Sequence, residues 1–63
     1  MSLSEYRKSK KLTQVEMAEQ IGVSFSHYSK IESGIRNPSY NFMVRIKDVF
    51  PDIDIDSTFF KTL

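Results

Sequence analysis

The chain has 63 residues, no cysteine, one histidine and a formal net charge of +1, with 40% of its residues hydrophobic. A chain this short builds one domain around a small core, and without cysteine it has neither disulfides nor thiolate zinc sites, while a single histidine argues against a histidine-rich metal site. No apolar run approaches the ~18 residues of a membrane span and the N-terminus lacks the apolar core of a secretory signal, so these features predict one cytoplasmic globular domain over residues 1–63, without cofactor or metal.

Five short helices are predicted, mostly from their caps. Ser2, three places before Glu5, has capping-box spacing, and a first helix runs to about Lys10 with Leu3 and Tyr6 inward. Thr13 and Glu16 repeat the signal for a second helix, whose apolar stripe is Val15, Met17, Ala18 and Ile21 and which Gly22 ends. Ser24 starts a third helix, with Tyr28 and Ile31 inward and Gly34 closing it. Ser39, after Pro38, is a natural N-cap for a fourth helix carrying Phe42, Met43, Ile46, Val49 and Phe50 as core residues, and Pro51 stops it. In the closing "DIDIDSTFF" the alternation of Ile53 and Ile55 permits a strand. A lone strand has nothing to pair with, so the expectation is a short helix capped by Asp54 or Asp56 and containing Phe59 and Phe60.

The second and third helices, 14–21 and 24–33, are joined so tightly that they must cross steeply. Such a crossing needs a small residue where the backbones approach (Ala18), a residue free to take positive φ at the bend (Gly22) and apolar groups to fill the angle: Met17, Ile21, Val23, Tyr28 and Ile31. Each stands at its required offset. The third helix then carries Phe25, Ser26, His27 and Lys30 on its exposed side, an odd set for a solvated face.

Residues 12–39, "LTQVEMAEQIGVSFSHYSKIESGIRNPS", resemble the Xre/lambda-repressor-like helix-turn-helix proteins, and the resemblance extends from about Leu3 to Phe60. It implies an all-α, compact five-helix domain with the helix-turn-helix at helices two and three. It also implies a transcriptional regulator, most simply a repressor, that binds double-stranded operator DNA as a two-fold homodimer. Gln14 matches a glutamine that holds a DNA phosphate. Ser24, Phe25, Ser26 and Lys30 match positions that meet the major groove, with His27 beside them at its edge. Arg36 and Asn37 lie in a loop that touches phosphates, and Arg7 and Glu32 match a partly buried ion pair between helices one and three.

Three positions depart from the family pattern. Phe25 stands where a polar or basic residue is frequent; it cannot read donors or acceptors but can pack on thymine methyl groups. Tyr28 replaces a smaller aliphatic residue, so local packing must adjust, and Ile35 stands where a basic residue is frequent. Specificity therefore does not transfer from any relative.

Bland readings compete at several of these positions. Gln14 also reads as an ordinary first-turn residue, Arg36 and Asn37 as turn chemistry before a proline, and Phe25, His27 and Lys30 as plain surface residues. Lys8, Lys10 and Lys11 read better as a solvated helix end than as a DNA patch. Asp52, Asp54 and Asp56 lack the glycine and terminal glutamate of a calcium loop and read as a helix N-terminus; nothing in the chain reads as an enzyme site. Phe59 and Phe60 cannot both be buried in so small a domain, so one of them, with Ile55, is expected to form an apolar patch at a dimer interface. The same end could instead hold a toxin, making the chain an antitoxin. A fold retained for protein contacts without DNA binding is a further alternative, against which Gln14, Lys30, Arg36 and Asn37 stand together.

Overall fold

A computed structural model describes residues 1–60; residues 61–63, the end of the domain expected over 1–63, lie outside the described residues. Among the described residues the regular elements are five helices: α1 (Leu3–Ser9), α2 (Gln14–Ile21), α3 (Phe25–Glu32), α4 (Tyr40–Val49) and α5 (Ile55–Phe59). Every helix starts on a side-chain oxygen that accepts from the backbone N–H three residues on: Ser2, Thr13, Ser24, Ser39 and Asp54. In α1 and α2 the return bonds from Glu5 and Glu16 complete capping boxes. The DIDID segment is helix, not strand, with Asp54 as the cap. None of these helices is long and apolar enough to cross a membrane.

The bend between α2 and α3 is closed locally. Gly22 takes φ 77°, which a side chain would strain, and the Val23 N–H reaches back to the Ala18 carbonyl at 3.0 Å. Ala18 is 1% exposed, so nothing larger fits where the two helices approach. The end of α1 also turns through positive φ, at Lys11 (59°), which no glycine announces.

The core is Leu3 and Tyr6 from α1, Met17, Ala18 and Ile21 from α2, Tyr28 and Ile31 from α3, Phe42 and Ile46 from α4, and Ile53 from the turn before α5. Phe42 is its centre: its ring meets Tyr28 at 6.2 Å, His27 at 5.9 Å and, edge-on, Phe59 at 6.1 Å. At the other end Tyr6 meets Phe50 edge-on at 5.8 Å, and its hydroxyl donates to Asp52.

Two apolar expectations are corrected. Val15 is 50% exposed. It lies off the face shared by Met17, Ala18 and Ile21, whereas Gln14, three, four and seven residues before them, lies on it. On α4 only Phe42 and Ile46, at i and i+4, are fully covered; Met43 and Phe50 are half-buried and Val49 is exposed. Ile53, 1% exposed, fills the core from a non-helical turn. Ile53→Ala is therefore expected to cost about 2–5 kcal/mol of unfolding free energy. Val15→Ser should change it by under about 0.5 kcal/mol. Denaturant titration measures both, and comparable losses would contradict this assignment of the core.

Candidate nucleic-acid interface

Glu32, the last residue of α3, gathers donors from three parts of the fold. Its Oε2 accepts from Arg7 Nε at 2.9 Å and from the Tyr28 hydroxyl at 2.6 Å. Its Oε1 accepts from Gln14 Nε2 at 2.8 Å and Arg7 Nη2 at 3.2 Å. Arg7 spends its remaining terminal nitrogen, Nη1, on the Leu12 carbonyl at 2.7 Å. The Arg7 and Glu32 side chains are 12% and 7% exposed, so the pair is shielded from water. Burial opposes charge on Glu32 most strongly, but the Arg7, Tyr28 and Gln14 hydrogen bonds together outweigh it and hold the carboxyl below its ordinary range. Burial, then the bond to Glu32, pushes the Tyr28 hydroxyl well up, so it stays a neutral donor.

The hub bears directly on Gln14. A carboxylate only accepts, so the amide nitrogen must face Glu32, which leaves one amide N–H and the carbonyl oxygen without a partner among the described residues. Gln14 is half-buried at the first position of α2 and is not a freely moving surface group. Sequence reasoning missed both its bond to Glu32 and the Tyr28 hydroxyl. The Tyr28–Glu32 spacing of four on one helix was the available signal for the latter.

On α3 the inward side is filled by Tyr28 and Ile31, and Phe25, Ser26 and Lys30 are exposed. Ser26 and Lys30 are one turn apart, and half-buried Ser29, which sequence reasoning passed over, lies one turn from both Phe25 and Ser26. The Ser24 hydroxyl is engaged in capping, accepting from the His27 N–H at 3.1 Å.

His27 departs from its expected position on the rim. Its ring stacks on Phe42 with an interplanar angle of 18°, and its Nε2 is buried without a hydrogen-bond partner. The expected row of four is thus Phe25, Ser26 and Lys30, with His27 turned toward α4. Helix geometry permits this, because position 27 lies one turn before inward Ile31 and so beside it on the wheel, and the Phe42 ring from α4 supplies the surface it stacks on.

Arg36 and Asn37 are exposed in the loop after α3, where the Arg36 N–H donates to the Lys30 carbonyl at 3.1 Å. Of the lysines at the end of α1, Lys10 is engaged with Asp52 at 2.9 Å, a pair too exposed to contribute much stability. Among the described residues there is no group of side chains that could hold a metal ion. At the C-terminal end Phe59 is half-buried against Phe42, and Ile55 is also half-buried against the core, so of the expected interface trio only Phe60 is exposed. Phe60, 49% exposed, and Ile55 border an open apolar recess of about 320 Å³ with Tyr40, Met43 and Val44.

Comparison with known proteins agrees with this geometry. The model of the family described as helix-turn-helix matches residues 3–57. An uncharacterized HTH-type transcriptional regulator, YqaE, of Bacillus subtilis (strain 168) is 36% identical over 55 residues, covering 87% of this chain and 47% of that protein. The cryptic phage CTXphi transcriptional repressor RstR of Vibrio cholerae serotype O1 is 41% identical over 54 residues, covering 86% and 47% respectively. The chain thus spans about half the length of the curated relatives it matches. No solved structure matches significantly.

The hub sets an acid limit on stability. Because the folded Glu32 carboxyl titrates below its ordinary value of 4.5, its contribution is complete above that value and is lost as pH falls through the lower folded value. Tyr28→Phe removes one of the bonds that depress it. The variant should lose about 1.5–3 kcal/mol at neutral pH, as for a hydrogen bond to a charged group. Its Glu32 titration, followed by carboxyl-carbon NMR, should move toward the ordinary value. An unmoved titration would show that the hydroxyl does not support the charge.

Proposed function

The chain belongs to the Xre/lambda-repressor-like helix-turn-helix family, and on that premise we propose that it is a sequence-specific DNA-binding transcriptional regulator, acting as a repressor by occupying its operator. The observation that carries this reading is the exposed rim of α3. Phe25, Ser26 and Lys30 stand clear of the core while Tyr28, Ile31 and the His27 ring commit the opposite side to packing. An α-helix with one free edge of this kind fits the major groove, which is wide enough to admit it.

Phosphate contacts fix the register and the rim discriminates bases. The second Gln14 N–H, Arg36 and Asn37 are the phosphate ligands, and Lys30 serves either a base edge or a phosphate. Ser24 joins the base-facing rim only through its exposed position, since its hydroxyl already caps α3. The low net charge of +1 favours a modest dependence on salt.

A two-fold dimer suits a near-palindromic operator with half-sites about one DNA turn, ~34 Å, apart. The recess bordered by Ile55 and Phe60 is the surface for it, because exposed apolar area of this kind is costly to leave in water.

Selection from random duplexes with the purified protein tests the reading; an enriched inverted repeat is the expected result, and no enrichment would overturn it. Lys30→Ala combined with Phe25→Ala should keep the helical circular dichroism and cooperative melting yet abolish preference for the selected duplex. Arg36→Ala should weaken binding about equally across sequences and lower the salt slope by about 0.9 for the phosphate lost. Phe60→Asp should shift the sedimenting species to a monomer. A mass unchanged by that substitution, or a protein monomeric throughout, removes the interface assignment.

A further inference from the structure

Phe25 is the single large apolar side chain left on the outward edge of α3, 49% exposed. The aromatic rings of the core are engaged with each other: His27, Tyr28 and Phe59 all meet Phe42, and among the described residues Phe25 takes part in no such contact. Its neighbours on the rim are short. Ser24 is committed to capping, and Ser26 carries only a hydroxyl, so the ring is the bulkiest group at this end of the helix.

A phenyl ring has no donor or acceptor. Set against a base amine, carbonyl or ring nitrogen, it would strip that atom of water and offer nothing in return, which is unfavourable. The major-groove edges display one apolar group, the methyl on C5 of thymine. Cytosine methylated at C5 presents the same group in the same place.

Resting on the DNA-binding reading above, we infer that Phe25 is a reader of C5-methyl groups: one pyrimidine in each half-site lies under the ring and is recognised by its methyl, not by its hydrogen-bonding edge. Thymine and 5-methylcytosine both satisfy the ring, and uracil and unmodified cytosine do not. Binding at a cytosine-containing variant of that step is therefore strengthened by cytosine methylation.

The test uses the duplex enriched by selection, with each thymine replaced singly by deoxyuridine and affinity measured by fluorescence anisotropy at one salt concentration. For the unmodified protein, one thymine per half-site should lose about fourfold in affinity on losing its methyl, the worth of one methyl group leaving water. For Phe25→Ala the same replacement should have no effect. At that same step, 5-methylcytosine should bind about fourfold tighter than cytosine, again only with Phe25 present. Methyl losses of equal size in both proteins, or no thymine sensitive to demethylation in the unmodified protein, would overturn the methyl reading while leaving DNA binding intact. Failure to enrich any duplex would overturn both. The loss at a demethylated thymine is read in the unmodified protein without any variant, and Phe25→Ala is compared once its circular dichroism and cooperative melting match those of the unmodified protein, which its 49% exposed position leads one to expect.

Discussion

The Glu32 carboxylate is the point at which α1, α2 and α3 are tied together. Arg7 comes from the first helix, Gln14 from the start of the second, and Tyr28 from one turn earlier in the third. A charge this well shielded persists only while its donors are in place; removing any of them leaves the others facing an incompletely solvated anion. The bonds act as a set of distances that all three helices must satisfy at once. They hold the two helices of the bend at one crossing, and they hold the amide of Gln14 in one orientation.

Tyr28 links this polar hub to the apolar core. Its hydroxyl belongs to the hub and its ring belongs to the aromatic cluster around Phe42. Through Phe42 the cluster reaches His27 on α3 and Phe59 on α5. A domain of this size buries little apolar surface, so each of these rings accounts for a large part of what is available. The inner side of α3 is consequently braced from α4, and its outer side stays exposed. The tyrosine that departs from the family pattern is thus no defect in packing, since its extra oxygen finds a charged acceptor in the same helix.

Among the described residues two surfaces stand open, and they differ in chemistry. The rim of α3 and the following loop mix one ring with hydroxyls, cations and amides: Phe25, Ser26, Lys30, Arg36 and Asn37. Such a mixture suits a polyanion with readable edges. The recess near Phe60 is almost wholly apolar and suits another protein surface. They are separate surfaces on separate helices, so a contact at one does not consume the other.

The amino-acid sequence by itself determined where the helices begin and how the bend is made, because those features are local. A cap needs an oxygen within three residues of its amide, and Ser2, Thr13, Ser24, Ser39 and Asp54 each supply one. The left-handed turn needs Gly22 and the close approach needs Ala18, whatever else the chain does. Only the tertiary structure decided which side chains those helices cover. Val15 and Gln14 are neighbours, yet the polar one faces inward, where the Glu32 carboxylate from α3 accepts from its amide. His27 turns to Phe42, Phe59 is covered while Phe60 is not, and Ile53 enters the core from a turn. At Gln14 and His27 the position on the wheel allows an inward face and the partner from another helix uses it; at Phe59, Phe60 and Ile53 burial depends wholly on what another element brings to that spot, and spacing along one helix does not contain that information.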